Sequence, residues 1–226
     1  ITRAEVVTIL DNIFNANYNT SGEYTGDVDG SAVISADNVT LKDMHITGDL
    51  IVAEGVGEGH VELNNVTVDG RLLVRGGGAN SIVIKGDSKI TQVIIARQEG
   101  KVRVAVEDGA QVSVVVVEEG SDDVKLEGTL GTVSIEGSDA AVEITGKVDT
   151  VDVTESADNT SVTVSKGATV STLTTSAENA TLTVAGKVEA VTVTENAEGT
   201  AVKTESGAKI DSVTTAGANT TVEGNG

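Results

Sequence analysis

The feature that most constrains this chain is a 40-residue pattern written twice in succession. GKVDTVDVTESADNTSVTVSKGATVSTLTTSAENATLTVA runs from Gly146 to Ala185, and GKVEAVTVTENAEGTAVKTESGAKIDSVTTAGANTTVEGN follows from Gly186. Each copy contains a finer period of about 20 residues, a length at which sequence repeats build solenoids or propellers. One column at that spacing reads Val142, Val162, Leu182, Val202, Val222, and a second, five residues earlier, reads Gly137, Ala157, Ala177, Ala197, Gly217. A third reads Asp139, Asn159, Asn179, Gly199, Asn219, residue types that share a tolerance of positive φ. Such a chain returns to the same place every 20 or so residues. Apolar side chains stack inside, small ones fill a tight corner, and a left-handed residue turns the backbone.

Apolar positions come in alternating pairs, Val151 with Val153 and Val162 with Val164, which is strand periodicity. With Val148, Val170, Val188 and Ile210 as a further column, three short strands fill each coil, and the predicted fold is an all-β parallel β-helix. A propeller blade needs four antiparallel strands and about 40 residues, so it cannot place equivalent residues at a 20-residue step. Earlier coils run on a register of 22: Val39, Leu41, Ile46, Gly48, Leu50 and Val52 recur as Val61, Leu63, Val68, Gly70, Leu72 and Val74. About nine coils at ~4.8 Å predict a rod roughly 45 Å long. The absence of proline suits a ladder in which nearly every backbone N–H is donated. The expected organisation is an amphipathic helix over 1–17, a polar linker over 18–30 and the β-helix over 31–226.

A formal charge of −20 argues against nucleic acid as a partner, since a polyanion would be repelled. Disorder is opposed by 38% apolar residues held in register. The chain has no cysteine, which removes disulfides and thiolate metal sites and leaves the compartment open. Its longest apolar runs, such as Val114 to Val117, fall far below the ~18 residues of a membrane span, so no membrane insertion is expected.

At the N-terminus, Thr2 and Glu5 have capping-box spacing, and Val6, Ile9, Leu10, Ile13 and Phe14 share one helical face. ITRAE followed by this apolar helix resembles the end of an S-layer homology domain, the module that anchors proteins to bacterial cell-wall polysaccharide. The resemblance implies a secreted protein of the bacterial wall or cell surface, with Arg3 touching the wall polymer. It spans about 14 residues of a module several times longer, so more of the module is expected upstream; the alternative is a helix that caps the solenoid. NVTVDGRLLVRGGGANSIVIKG, Asn65 to Gly86, resembles β-helix segments that follow S-layer homology domains in secreted Gram-positive proteins. That resemblance and the usual chirality of parallel crossovers imply a right-handed coil. The polar sequence from Ala216 onward has no obvious cap, so further solenoid or another domain is expected after it.

Candidate sites are few. Arg71, Arg75, Lys85, Lys89, Arg97, Lys101 and Arg103 hold 7 of the 15 basic residues, and only Asp87 and Glu99 oppose them within that stretch. Stacked coils could gather them into a patch for an acidic polysaccharide, with Arg71, Arg75, Arg97 and Arg103 as contacts; a solvated, self-paired face is the rival. Asp27 and Asp29 in GDVDG are a weak match to a calcium loop. His45 and His60 occupy different coil positions and read as surface residues, so neither a metal nor any other cofactor is implied. Ile94 lies between Val93 and Ile95, and Val114 and Val116 alternate with inward Val115 and Val117. These outward apolar residues need a cover, either the N-terminal helix or a dimer contact through Ile94, Val114 and Val116.

Threonine ranks at Thr172 and Thr174, Thr192 and Thr194, and Thr181 and Thr183 resemble ice-binding faces, yet Asp152, Ala190, Ser176 and Lys203 interrupt them. Catalysis on polysaccharide would need converging carboxylates and aromatic platforms, and the predicted solenoid has no aromatic residue. No enzyme is expected. The sequence supports a structural stalk or spacer first and a polysaccharide-binding module second, with a polysaccharide-active enzyme or an ice-binding face behind them.

Overall fold

The computed structural model describes residues 14–98, 100–107 and 109–224, and in them the chain winds through about ten turns of a parallel β-solenoid. Each coil contributes to three parallel ladders. Ladder 1 starts at Ala16–Tyr18, pairs with Ala32–Ile34 and then Leu50–Val52, and continues through 72–74, 93–95 and 115–117 to 213–215. Ladder 2 runs from Gly22–Tyr24 to Thr221–Gly224. Ladder 3 begins with the bridge from Val28 to Ile46 and ends at 209–210. Among the described residues the one helical element is a 3₁₀ turn at Glu54–Val56. None of their helices is long and apolar enough to cross a membrane.

The core follows from strand alternation. On ladder 1 the inward residues Ile34, Val52, Val74, Ile95, Val117, Ile135, Val153 and Val193 are all buried. Val142, Val162, Leu182 and Val202 form the expected column on ladder 2, and Val148, Val170 and Val188 the one on ladder 3. Burying each such side chain is worth about 1.5–3 kcal/mol. A single coil has no second layer to bury them against, so the stack is stable only as a stack. Thr175 is a polar member of this column and is fully buried, its hydroxyl accepting the Ala177 N–H at 3.3 Å, whereas Thr215, two rungs on, is exposed.

The 40-residue period has a geometric cause. From ladder 2 to ladder 3 the chain takes six residues between Val164 and Val170, four between Val184 and Val188, and six again between Thr204 and Ile210. The corner from ladder 1 to ladder 2 compensates, with nine residues from Val153 to Val162, seven from Thr175 to Leu182 and nine from Val193 to Val202. Coils counted on ladder 1 therefore alternate between 18 residues, Ile135 to Val153, and 22, Val153 to Thr175. Counted on ladder 2 they stay at 20. Two coils make one sequence repeat because two residues are traded between corners.

Corner chemistry matches the sequence pattern. Asp139, Asn159, Asn179 and Asn219 have φ of 57°, 59°, 55° and 55°, and Gly199 takes the same place at 71°. Ala157, Ala177 and Ala197 are fully buried beside them. At the opposite corner the backbones approach so closely that a Cβ on Gly146 would collide with the Gly128 carbonyl.

The structure departs from expectation at the start of the chain. Residues 18–30, expected as a linker, carry the strand Gly22–Tyr24 and the Val28 bridge, so they belong to the solenoid. Tyr18 points inward, is 7% exposed, and meets Tyr24 with ring centroids 4.7 Å apart. One aromatic pair here fills the end of the core that aliphatic columns fill elsewhere. The expected helix over 1–17 lies outside the described residues as far as Ile13, and Ala16–Tyr18 at its end is a strand.

Candidate functional site

The basic segment divides over different parts of the coil. Arg71 precedes its ladder 1 strand residues and Arg103 lies on ladder 2, whereas Arg75 and Arg97 sit at the corner between those ladders in successive coils. Arg3 lies outside the described residues. The four described arginines therefore do not converge on one patch.

Their partners come from neighbouring coils. Arg71 donates to Asp49 through Nη2 at 2.7 Å and Nε at 3.3 Å. Lys85 pairs with Glu62 at 2.8 Å and Lys101 with Asp123 at 3.3 Å. Arg103 donates through Nε to Glu127 at 2.6 Å, and Lys125 reaches the same carboxylate at 3.0 Å. Arg97, 7% exposed, pairs with Glu58 two coils earlier and donates to the Gly57 carbonyl at 3.4 Å. These contacts act on the acids: the Arg71 guanidinium holds the Asp49 carboxyl below its usual range, and Arg103, then Lys125, does the same to Glu127. Lys85 is shifted upward by Glu62.

A local count of charge from 71 to 103 missed these acids because they lie roughly 22 residues away, or two coils in the case of Glu58. The coil register was the signal that could have found them. Asp49 and Arg71 are 22 apart, as are Lys101 and Asp123.

What remains open to a ligand is a shallow groove of about 280 Å³ at the ladder 1 to ladder 2 corner, lined by Glu54, Gly57, Arg75, Gly76, Arg97 and Gln98. Arg75 is exposed and makes no ion pair with the described residues. Farther along the same edge of the rod, Glu155, Asp158, Glu178, Glu195 and Glu198 line a second depression. The edge thus changes from mixed charge in the early coils to acidic in the later ones.

The other candidates have structural partners. Asp27 accepts the His45 N–H at 2.7 Å and Asp29 accepts the Thr47 hydroxyl at 3.3 Å, so both tie one coil to the next. His45 Nε2 lies 2.8 Å from Asp69, and His60 Nδ1 lies 3.0 Å from the Asn80 carbonyl. Among the described residues no group of three or more His, Cys, Asp or Glu could hold a metal ion. The threonine ranks divide between faces. Thr172 and Thr174 stack with Ala190 and Thr192 on ladder 1, Thr181 and Thr183 stand on ladder 2, and Thr194 turns to Ser176 at a corner.

No family model, no curated protein and no solved structure matches this chain.

Proposed function

We propose that the protein is a structural stalk, a stiff acidic spacer on the surface of a secreted, wall-attached bacterial protein. The observation that supports this reading is continuity: three parallel ladders run through the described coils, one apolar core extends as far as Val202, and ion pairs such as Arg71–Asp49 and Arg103–Glu127 tie neighbouring early coils together. A repeat array of this kind resists extension through nearest-neighbour contacts alone. The bacterial surface setting rests on the resemblance of ITRAE to the end of an S-layer homology domain, and the coil is taken as right-handed, the usual sense of parallel crossovers.

Single-molecule extension of the chain held at its two ends tests the mechanical role. The expected trace is a series of ruptures, each lengthening the tether by about 70 Å as one coil of 20 residues is released. A tether that extends smoothly at negligible force would sink the stalk.

A second reading, a module for acidic polysaccharide, is favoured by Arg75 in its groove beside Arg97. Purified Gram-positive walls should then retain the protein at low salt and release it at high salt, and Arg75→Ser should abolish retention. Retention that ignores both salt and the substitution counts against this reading.

A further inference from the structure

The corners carry a pairing of residue types that the backbone does not require. All five asparagines with positive φ, Asn38, Asn65, Asn159, Asn179 and Asn219, are followed two residues later by a hydroxyl, on Thr40, Thr67, Ser161, Thr181 and Thr221. The other non-glycine residues described in that conformation, Asp43, Ile82 and Asp139, are followed instead by His45, Ile84 and Ala141. The contrast is sharpest at the ladder 1 to ladder 2 corner, where the compared residues stack on one another. There Asp139 and Gly199 precede Ala141 and Ala201, whereas Asn159, Asn179 and Asn219 precede hydroxyls. Residues 141, 161, 181, 201 and 221 form one column of ladder 2 in unbroken register.

A positive φ accounts for asparagine, and an outward strand position accounts for threonine or serine. Neither explains why the two change together, since ladder 2 accepts alanine and hydroxyl residues in the same column. No local contact couples them either. Among the described residues, the side chains of Asn159, Ser161, Asn179 and Thr181 hydrogen-bond neither to one another nor to anything else. Asn-x-Ser/Thr, with x other than proline, is the acceptor sequence for asparagine-linked glycan on exported proteins.

We propose that these corners are glycan acceptor sites, with Asn38, Asn159 and Asn179 as the main points of attachment. In all three the asparagine is exposed, the middle residue (Val39, Thr160 or Ala180) is fully buried, and the third side chain is again partly exposed. Carboxamide and hydroxyl therefore face water together, and a sugar joined there leaves the rod without disturbing the core. Asn65 and Asn219 carry the same sequence, but their amide groups are occupied, donating to Asp43 at 2.8 Å and to Glu198 at 2.9 Å. A sixth match, Asn19-Thr20-Ser21, is exposed but lies outside the positive-φ set. In the transfer, asparagine Nδ2 bonds to the anomeric carbon of a sugar carried on a lipid pyrophosphate. The bond from that carbon to the pyrophosphate oxygen breaks, the lipid pyrophosphate leaves with the electron pair, and Nδ2 gives one proton to a base of the transferase. Nothing is oxidised or reduced. The proposal needs export of the chain and is independent of the stalk reading.

Glycopeptide mass spectrometry tests this on the full chain exported by cells that carry an asparagine-specific oligosaccharyltransferase. Peptides containing Asn38, Asn159 and Asn179 should gain the mass of the transferred glycan. Asn80 and Asn196, exposed but without a hydroxyl two residues on, should not. Ser161→Ala with Thr181→Ala should strip both corners of sugar, Ser161→Thr should keep it, and Asp139→Asn with Ala141→Thr should add a site one coil away. Made without the transferase, the Ser161→Ala, Thr181→Ala chain should melt at the same temperature as the unsubstituted one, because alanine already stands in that column at 141 and 201. Absence of sugar from all three asparagines overturns the proposal. A lowered melting temperature in the sugar-free double variant also overturns it, since the hydroxyls would then serve the fold and the pairing would need no glycan.

Discussion

Glu127 shows how single residues act in this fold. Its carboxylate takes an N–H from Arg103 on the preceding coil and a second cation from Lys125, and the two hold it below the usual carboxylate range. A carboxyl lowered in this way contributes stability at pH values above its unfolded value of about 4.3, and that stability disappears as pH falls through the depressed folded value. Arg103→Met should therefore cost about 0.5–1 kcal/mol at pH 7, and the difference from the unsubstituted chain should close as the pH drops below about 4. Urea unfolding of both proteins across that range measures it; a gap that persists in acid means that Arg103 acts by packing its stem. Which residues would pair was only partly legible. The positive-φ column from Asp139 to Asn219 could be read directly, because few residue types tolerate that backbone conformation. The partner of Arg103 could not be read from local charge. An ion pair leaves no mark on its neighbours in sequence, and Glu127 is found only by stepping through one coil.

Strands were most legible where their inward residues are aliphatic. Val162, Val164, Leu182 and Val184 alternate with polar residues, and the ladders pair them in the expected columns. The first strands were obscured because Ala16–Tyr18 and Gly22–Tyr24 sit in a polar stretch of Asn, Ser, Thr and Gly. Each has few side chains that face the core, and a tyrosine fills the place that a valine or leucine fills elsewhere. Composition signalled a linker, whereas backbone pairing to the next coil makes a strand. The groove at Arg75 escaped notice for a related reason. It is formed by corners of two or three coils together, and no one corner contains it. Outward apolar character on ladder 1 was visible at Ile94, Val114 and Val116. Its extension to Val33, Ile51 and Leu73 required knowing which strand lies under which.

At the scale of the whole molecule, the repeat unit is a pair of coils, because corner lengths alternate. Removing Gly146 to Ala185 joins Thr145 to Gly186 and preserves both the four-residue corner, Ile144 to Val188, and the three ladders. This shortened protein should fold cooperatively and be about 10 Å shorter by small-angle scattering. Removing residues 146–175 instead deletes one and a half coils, so that a ladder 2 strand is followed by another ladder 2 strand, and this protein should not form a continuous rod. Equal folding of the two deletions would mean that coils are less strictly registered than their pairing indicates. The tyrosine pair at the first coil has an optical consequence. The chain contains no tryptophan, its only tyrosines are Tyr18 and Tyr24, and its single phenylalanine is Phe14. Near-ultraviolet absorbance and intrinsic fluorescence therefore originate at one end of the rod, whereas far-ultraviolet circular dichroism averages over all rungs. When the protein is heated, the first signal follows the opening of that end and the second follows the whole array. The temperature gap between the two curves measures how far melting travels along the stack before it becomes global.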